Sequence, residues 1–304
     1  MLHLNIQNET SRLRSVVLGT AFHNGPIPTI EECYDPKSKI HVIAGTYPKE
    51  QDMISEMESV VKVFEKYDIE VFRPEVIENY NQIFSRDIGF VIDDKFISAN
   101  ILPDRDQEIT AIHHVLSQIP KENRISLPEE CHVEGGDVMP WNDYIFIGTY
   151  SGKEYSEYIT ARTNSNAVKA IQELFPNKIV KSFELRKSND NAKENALHLD
   201  CCFQPIGKNM AILHKNGFLI EEEFEWLVNY FGKENVFEIS KDEMYQMNSN
   251  VFSISEDVVV SEQNFTRLNL WLEAQGFTVE KVPYQEIAKQ EGLLRCSTLP
   301  LVRD

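Results

Sequence analysis

Apolar residues along this chain fall into two alternating rhythms. Pairs of short apolar runs flank a tight polar turn in the segments beginning at Phe90 (FVIDDKFISAN), Val138 (VMPWNDYIFIGT), Phe203 (FQPIGKNMAILH) and Val251 (VFSISEDVVVSE), with half of a fifth, SVVLGT, from Ser15. Runs joined by Asp-Asp, Asn-Asp, Gly-Lys-Asn or Glu-Asp predict β-hairpins. After each hairpin the spacing changes to that of an amphipathic helix. It does so at Met53, Met57, Val60, Val61, Phe64 and Tyr67; at Ile109, Ile112, Leu116 and Ile119; at Val168, Ile171, Leu174 and Phe175; at Phe224, Leu227, Val228 and Phe231; and at Leu268, Trp271 and Leu272. Gly232 and Gly276 stand where a helix C′ glycine belongs, and Asn164 or Ser165 is placed to cap the third helix. Short strands follow at Ile69, Ile125, Ile179, Val236 and Phe277. The predicted fold is α/β, five ββαβ units in succession. The missing hairpin strand of the fifth unit is the C-terminal CSTLPLV from Cys296, whose pairing with SVVLGT would close a ring.

Reactive side chains recur at one place in these units. Ser85-Arg86-Asp87, Glu134-Gly135-Gly136-Asp137, His198-Leu199-Asp200, Asn248-Ser249-Asn250 and Arg295-Cys296-Ser297 each stand just before or within a hairpin. If the units surround an axis, equivalent positions converge on it, and acid, base and thiol meet in one pocket.

Composition narrows the class. With 304 residues, 42% hydrophobic and 26% charged, and without a Pro/Gly/Ser-rich linker, the chain reads as one globular domain over residues 1–304. No run approaches the roughly 20 apolar residues of a membrane span, and the N-terminus lacks the apolar core of a signal peptide, so a cytoplasmic location is expected. A net charge of −18 argues against nucleic acid and anionic membrane as partners and accommodates a cationic small molecule; a homo-oligomer is compatible with it. The five cysteines include no metal-binding CxxC, which fits a reducing compartment in which one of them serves as a thiolate.

Position separates the cysteines. Cys201 and Cys202 lie in the apolar stretch LHLDCCFQPI, as small buried hydrophobes do, whereas Cys296 occupies the pocket-facing slot of its repeat. Thiolate chemistry on carbon needs a proton shuttle, and His198 is the histidine in an equivalent slot. Read as a strand, His198 and Asp200 share one side. Asp87 and Glu134 would bring further carboxylates to that pocket, which calls for a cation among them, either a metal or the substrate. A lone histidine beside a soft thiolate is a poor ligand set for a hard metal, so no metal and no other cofactor is expected. A guanidinium, planar and rich in donors, suits paired carboxylates better.

These residues carry a resemblance. Asn81-Gln82-Ile83-Phe84-Ser85-Arg86-Asp87, Glu134-Gly135-Gly136-Asp137, Ala161-Arg162-Thr163-Asn164, His198-Leu199-Asp200 and Arg295-Cys296-Ser297 are similar, in order and one per repeat, to motifs of the guanidino-modifying pentein superfamily: arginine deiminases, dimethylarginine dimethylaminohydrolases and amidinotransferases. The resemblance implies a five-bladed pseudo-symmetric α/β propeller and a guanidino substrate, arginine or a derivative. It implies Cys296 as the nucleophile forming a covalent amidino intermediate, His198 as acid and base, Asp87 and Asp200 gripping the guanidinium, and Glu134 holding substrate and orienting His198. By the same carry-over Asn81 and Arg162 bind the carboxylate of an amino-acid substrate.

The Glu-Gly-Gly-Asp form looks like that of the hydrolases rather than the amidinotransferases, which tend to carry aspartate there. A nonenzymatic member of the same fold, a ribosome-binding factor, lacks the catalytic residues kept here. The chain departs from the family pattern in two ways. The stretch from Tyr150 to Ile159 is long enough for a lid, and a second arginine for the carboxylate has only Arg186 and Arg267 as candidates.

Overall fold

The computed structural model describes residues 1–304. After β1 (Leu13–Leu18) the chain forms α1 (Pro36–Ile43), α2 (Glu50–Lys66) and β2 (Glu70–Phe72). The hairpin β3 (Gly89–Ile92) and β4 (Lys95–Ser98) leads through a 3₁₀ segment, Pro103–Ile112, into the single turn α3 (His113–Leu116) and then β5 (Arg124–Ser126). The third unit is β6 (Val138–Trp141), β7 (Tyr144–Thr149), α4 (Ser165–Leu174) and β8 (Ile179–Glu184). The fourth is β9 (Phe203–Ile206), β10 (Met210–Leu213), α5 (Glu221–Phe231) and β11 (Val236–Glu238), followed by the short α6 (Lys241–Tyr245). The fifth is β12 (Phe252–Ser255), β13 (Val258–Glu262), α7 (Thr266–Ala274) and β14 (Thr278–Val282), after which α8 (Gln285–Ala288) leads to β15 (Thr298–Arg303).

The strands make five sheets of three. In each, an antiparallel pair is joined by a parallel third strand that arrives after the helix. Closure occurs as the patterning predicts: β15 runs antiparallel to β1, with Leu18 opposite Thr298 and Leu13 opposite Arg303. The architecture is the α/β propeller of five repeated units.

Local chemistry explains the turns and helix ends. Asp93, Asn142 and Gly207 adopt φ of 53°, 56° and 56°, a left-handed conformation that Asp, Asn and Gly tolerate at hairpin turns. Asn164 caps α4 by accepting from Ala167 N at 3.1 Å, and Gly232 and Gly276 end α5 and α7 with φ of 84° and 93°. One prediction is corrected here. The Ile109, Ile112, Leu116, Ile119 periodicity yields a 3₁₀ segment running into one α-helical turn rather than a continuous helix; within it the buried Arg105 is tied outside the segment to Asp87 and Phe84 O, contacts that a periodicity in apolar residues does not register.

The main core runs from Leu13 through the aromatic cluster of Phe146, Phe183 and Phe203 to Leu294, filling the spaces between sheets and outer helices. Around the axis the interior is charged instead. Arg295 and Arg303 are essentially fully buried, and Arg295 takes both oxygens of Glu9 at 3.1 Å. That pairing holds the Glu9 carboxyl at about 2: burial opposes its charge, but Arg295 and Arg86 outweigh burial. No helix is long and apolar enough to cross a membrane.

Candidate active site

The pre-hairpin clusters do converge. A cavity of about 450 Å³ is lined by Asp87, His198 and Cys296 together with Asn81, Arg105 and Arg162. Asp87 lies in the turn just before β3, and Cys296 lies just ahead of β15. The two turns are tied by Arg86 N, which donates to Cys296 O at 2.9 Å.

His198 does not sit on a strand. It stands at the N-terminal cap of a 3₁₀ turn, Leu199–Cys201, so the expected same-side alternation with Asp200 is replaced by a turn that splays the two side chains. His198 Nε2 lies 2.7 Å from Glu134 Oε2, and Nδ1 lies 3.7 Å from Asp87 Oδ1. Burial disfavours the imidazolium, but Asp87 and the Glu134 hydrogen bond outweigh burial and hold His198 above the ordinary histidine range. Its ring packs on Gly136, where a Cβ would fall 2.7 Å from His198 Cγ. Gly135 is equally confined, with Arg86 O at 2.1 Å from such an atom. The two glycines of the Glu-Gly-Gly-Asp motif are therefore dictated by close approach.

Glu134 and Asp200 stand behind the cavity wall rather than in it. Glu134 Oε2 also accepts from Arg162 Nη1 at 2.9 Å. Burial opposes its charge, yet Arg162 and His198 hold the carboxyl far below the usual range. Asp200 is fully buried; its Oδ2 accepts from Arg295 Nη1 at 2.9 Å and lies 3.5 Å from Cys296 Sγ. The expectation that Asp200 faces the pocket as openly as Asp87 is thus corrected: the arginine just before the nucleophile position draws it back. Asp87 does face the cavity, and its Oδ1 has no hydrogen-bond partner.

The Cys296 thiol is buried and pushed well above the ordinary cysteine range, first by burial and then by Asp200 and Asp87. Asn81 lines the cavity, donating to Gln290 Oε1 at 2.6 Å and accepting from Ile83 N at 3.1 Å. Arg162 lines it too, donating to Tyr34 O at 3.0 Å. Cys201 is buried behind Asp200, with Sγ 3.8 Å from Asp200 Oδ1, as the packing reading expects.

Sequence reasoning missed Arg105. Its Nη1 donates to Asp87 Oδ2 at 2.8 Å, while Nε holds Glu108 at 2.6 Å. The available signal was the Arg105-x-x-Glu108 spacing, a pair on one face of a helical turn. The two arginines proposed instead lie elsewhere, outside the cavity lining. Arg186 Nε donates to Asn216 O at 2.9 Å, and the exposed Arg267 pairs with Glu243 at 2.6 Å. The expected lid is corrected similarly. From the Tyr150–Ile159 stretch only Ile159 lines the cavity, whereas the segment from Asn24 to Asp35 and Ser38 of α1 contribute many lining residues.

Asp87, Glu134 and His198 offer three ligand atoms within 4.8 Å of one another, the geometry a metal ion would require. Arg105 and Arg162 already place two fixed cations on those carboxylates. A divalent ion would enter against them.

A protein-family model described as N,N dimethylarginine dimethylhydrolase, eukaryotic, matches residues 46–303 of this chain. Among curated proteins, the uncharacterised protein YkgA of Bacillus subtilis (strain 168) is 28% identical over 247 residues, 80% of this chain and 78% of its own. Solved structures share the fold. The N-terminal domain of ArgZ, an arginine dihydrolase from the ornithine-ammonia cycle in Cyanobacteria, crystallised with substrate, has a TM-score of 0.77 at 14% identity, covering 95% of this chain and 98% of that one. The inosamine-phosphate amidinotransferase StrB1 of Streptomyces griseus gives 0.76 at 14%, covering 100% and 97%. SxtG, an amidinotransferase from Microseira wollei in the saxitoxin pathway, gives 0.74 at 16%, covering 99% and 97%.

Proposed function

The chain belongs to the family described as N,N dimethylarginine dimethylhydrolase, eukaryotic, within the pentein superfamily of guanidino-modifying enzymes, and from that premise we propose that it hydrolyses the guanidino group of arginine or an arginine derivative through a covalent intermediate on Cys296. The observation that carries this reading is the convergence of Cys296, His198 and Asp87 on one cavity, with the imidazole held by Glu134 at 2.7 Å.

In this mechanism the substrate guanidinium lies against the unpartnered Asp87 Oδ1, where each charge-assisted hydrogen bond contributes roughly 1.5–3 kcal/mol. Its positive charge offsets the two carboxylates that oppose the thiolate, so Cys296 releases its proton to solvent when substrate is bound. The thiolate forms a C–S bond to the guanidinium carbon. The C–N bond then breaks, and the amine departs with the proton of His198, which burial and its carboxylate neighbours keep charged. Neutral His198 next takes a proton from water. The resulting hydroxide adds to the amidino carbon, the C–S bond breaks, and a ureido product or urea leaves with the thiolate restored.

The same cavity suits an amino-acid tail. Arg105 and Arg162 supply cations for a carboxylate, and Asn81 lines the same cavity. The fold and the catalytic residues act as one domain over residues 1–304 in this reading.

The test is incubation with arginine, its N-methylated forms and agmatine, with and without a chelator, and assay of ammonia, methylamines, citrulline, ornithine and urea. Release of ammonia or methylamine without an added amine acceptor is expected, in either condition. Turnover that requires an amine acceptor would make the protein an amidinotransferase, and loss to chelator with recovery on adding a divalent ion would make it a metal-dependent hydrolase.

A further inference from the structure

The Asn248-Ser249-Asn250 cluster occupies the pre-hairpin slot of its unit, as the acid, base and thiol clusters do in theirs, and no role above uses it. Asn250 is fully buried and hydrogen-bonded on every side. Its Oδ1 accepts from Cys296 N at 3.1 Å, and its Nδ2 lies 3.2 Å from Cys296 Sγ and 3.3 Å from Asp200 O. Its backbone O accepts from Arg295 N at 3.3 Å.

The orientation of that amide follows from its partners. A backbone N–H can only donate and a backbone carbonyl can only accept, so the oxygen must face Cys296 N and the NH₂ must face Asp200 O. The NH₂ group is thereby committed to the side on which Sγ lies.

The sulfur therefore has two polar neighbours of opposite kind. Toward Asp200 Oδ2, at 3.5 Å, the thiol is the donor, and that contact turns repulsive when the proton is lost. Toward Asn250 Nδ2 the sulfur is the acceptor, and that contact strengthens as negative charge develops.

We propose that Asn250 is a catalytic residue of this site, a neutral donor that stabilises the Cys296 thiolate against the flanking carboxylates while fixing the sulfur through the Cys296 amide. This rests on the assignment of Cys296 as nucleophile. A neutral donor suits the position because a lysine or arginine there would compete with the substrate's own positive charge for Asp87, whereas an amide favours the thiolate without filling the guanidinium site.

The experiment reads the thiolate without any guanidino substrate. Alkylation of Cys296 by iodoacetamide, in which the thiolate displaces iodide, is followed by mass spectrometry of the Cys296 peptide from pH 6.5 to 9.5 in the wild type, Asn250→Asp and Asn250→Ala. Melting curves confirm that each variant is folded. Below the thiol pKa each unit of upward shift slows alkylation about tenfold at fixed pH. Asn250→Ala is expected to alkylate about 10-fold more slowly at pH 8, and Asn250→Asp, which keeps the shape but places a carboxylate toward the sulfur, more slowly still.

A merely structural role predicts the reverse order of effects: Asn250→Ala would loosen the turn and expose the thiol, and the isosteric Asn250→Asp would be the milder change. Alkylation at the wild-type rate or faster in a folded variant overturns the proposal. Turnover of the guanidino panel by the wild type is measured in parallel and reports separately on the proposed function: a wild type inert to that panel, with alkylation slowed as stated, sinks the guanidino reading and leaves the donor role of Asn250 standing.

Discussion

Arg105 donates from Nη1 to Asp87 Oδ2 at 2.8 Å, so a guanidinium of the protein itself lies against the carboxylate assigned to grip a guanidinium of the substrate. Arg105 stays anchored because Glu108 takes its other face. Asp87 is thus held in place through Oδ2, with the buried Oδ1 left unpartnered.

That relationship predicts a split in specificity. Arg105→Ala should raise KM for arginine about 100-fold, through loss of a charged partner for the carboxylate, while the KM for agmatine, which has no carboxylate, changes less than about 10-fold. Steady-state kinetics on both compounds checks it. Equal losses on the two would assign Arg105 to holding Asp87 alone.

Asp87 and Asp200 should separate in stability although both lower turnover. Asp87→Asn and Asp200→Asn are each expected to lower kcat/KM by roughly two orders of magnitude or more. Asp87→Asn leaves Arg105 its Glu108 partner and should melt close to the wild type. Asp200→Asn removes one of the two carboxylate partners of the fully buried Arg295, which keeps Glu9 and the carbonyls of Gly136 and Val138, and is expected to cost about 3 kcal/mol. Melting curves beside turnover decide it; equal melting of the two would show that the Arg295–Asp200 pair contributes little.

Gly136→Ala tests the imidazole's seat. A Cβ at 2.7 Å from His198 Cγ must displace the ring from Glu134, so kcat should fall about 100-fold with the fold retained. Normal turnover would show that the ring position is not critical.

The pH profile follows from two upward shifts. Burial opposes the His198 imidazolium, but Asp87 and Glu134 keep its proton above the ordinary histidine range, while burial, Asp200 and Asp87 raise the Cys296 thiol well above the cysteine range. The reactive pair, thiolate with imidazolium, is a minor form of the empty enzyme whose fraction peaks between the two titrations. The optimum of kcat/KM should therefore lie at about pH 8 or above. An optimum below pH 7 contradicts these shifts.

Much of this was legible in the sequence because it is local. Hairpin turns depend on residues such as Asp93 and Asn142 that tolerate positive φ, and the helix ends depend on Asn164, Gly232 and Gly276; each writes its conformation into a few adjacent positions. The convergence of Asp87, Glu134, His198 and Cys296 was legible through repetition, since equal slots in a closed ring meet. What stayed hidden depends on partners far apart in the chain. Arg105 belongs to the site because of Asp87 and Glu134, and Asp200 is withdrawn from the cavity by Arg295, whose other carboxylate partner is Glu9 near the N-terminus. The turn at Leu199–Cys201 hid the true relation of His198 to Asp200, because the His-x-Asp spacing alone is equally consistent with a strand.

The most direct measurement is turnover by Cys296→Ala of whichever guanidino compound the wild type consumes, on protein shown by its melting curve to be folded. The account predicts no detectable product from Cys296→Ala and full activity from Cys201→Ala apart from a modest packing loss. Ordinary turnover by a folded Cys296→Ala protein would contradict it.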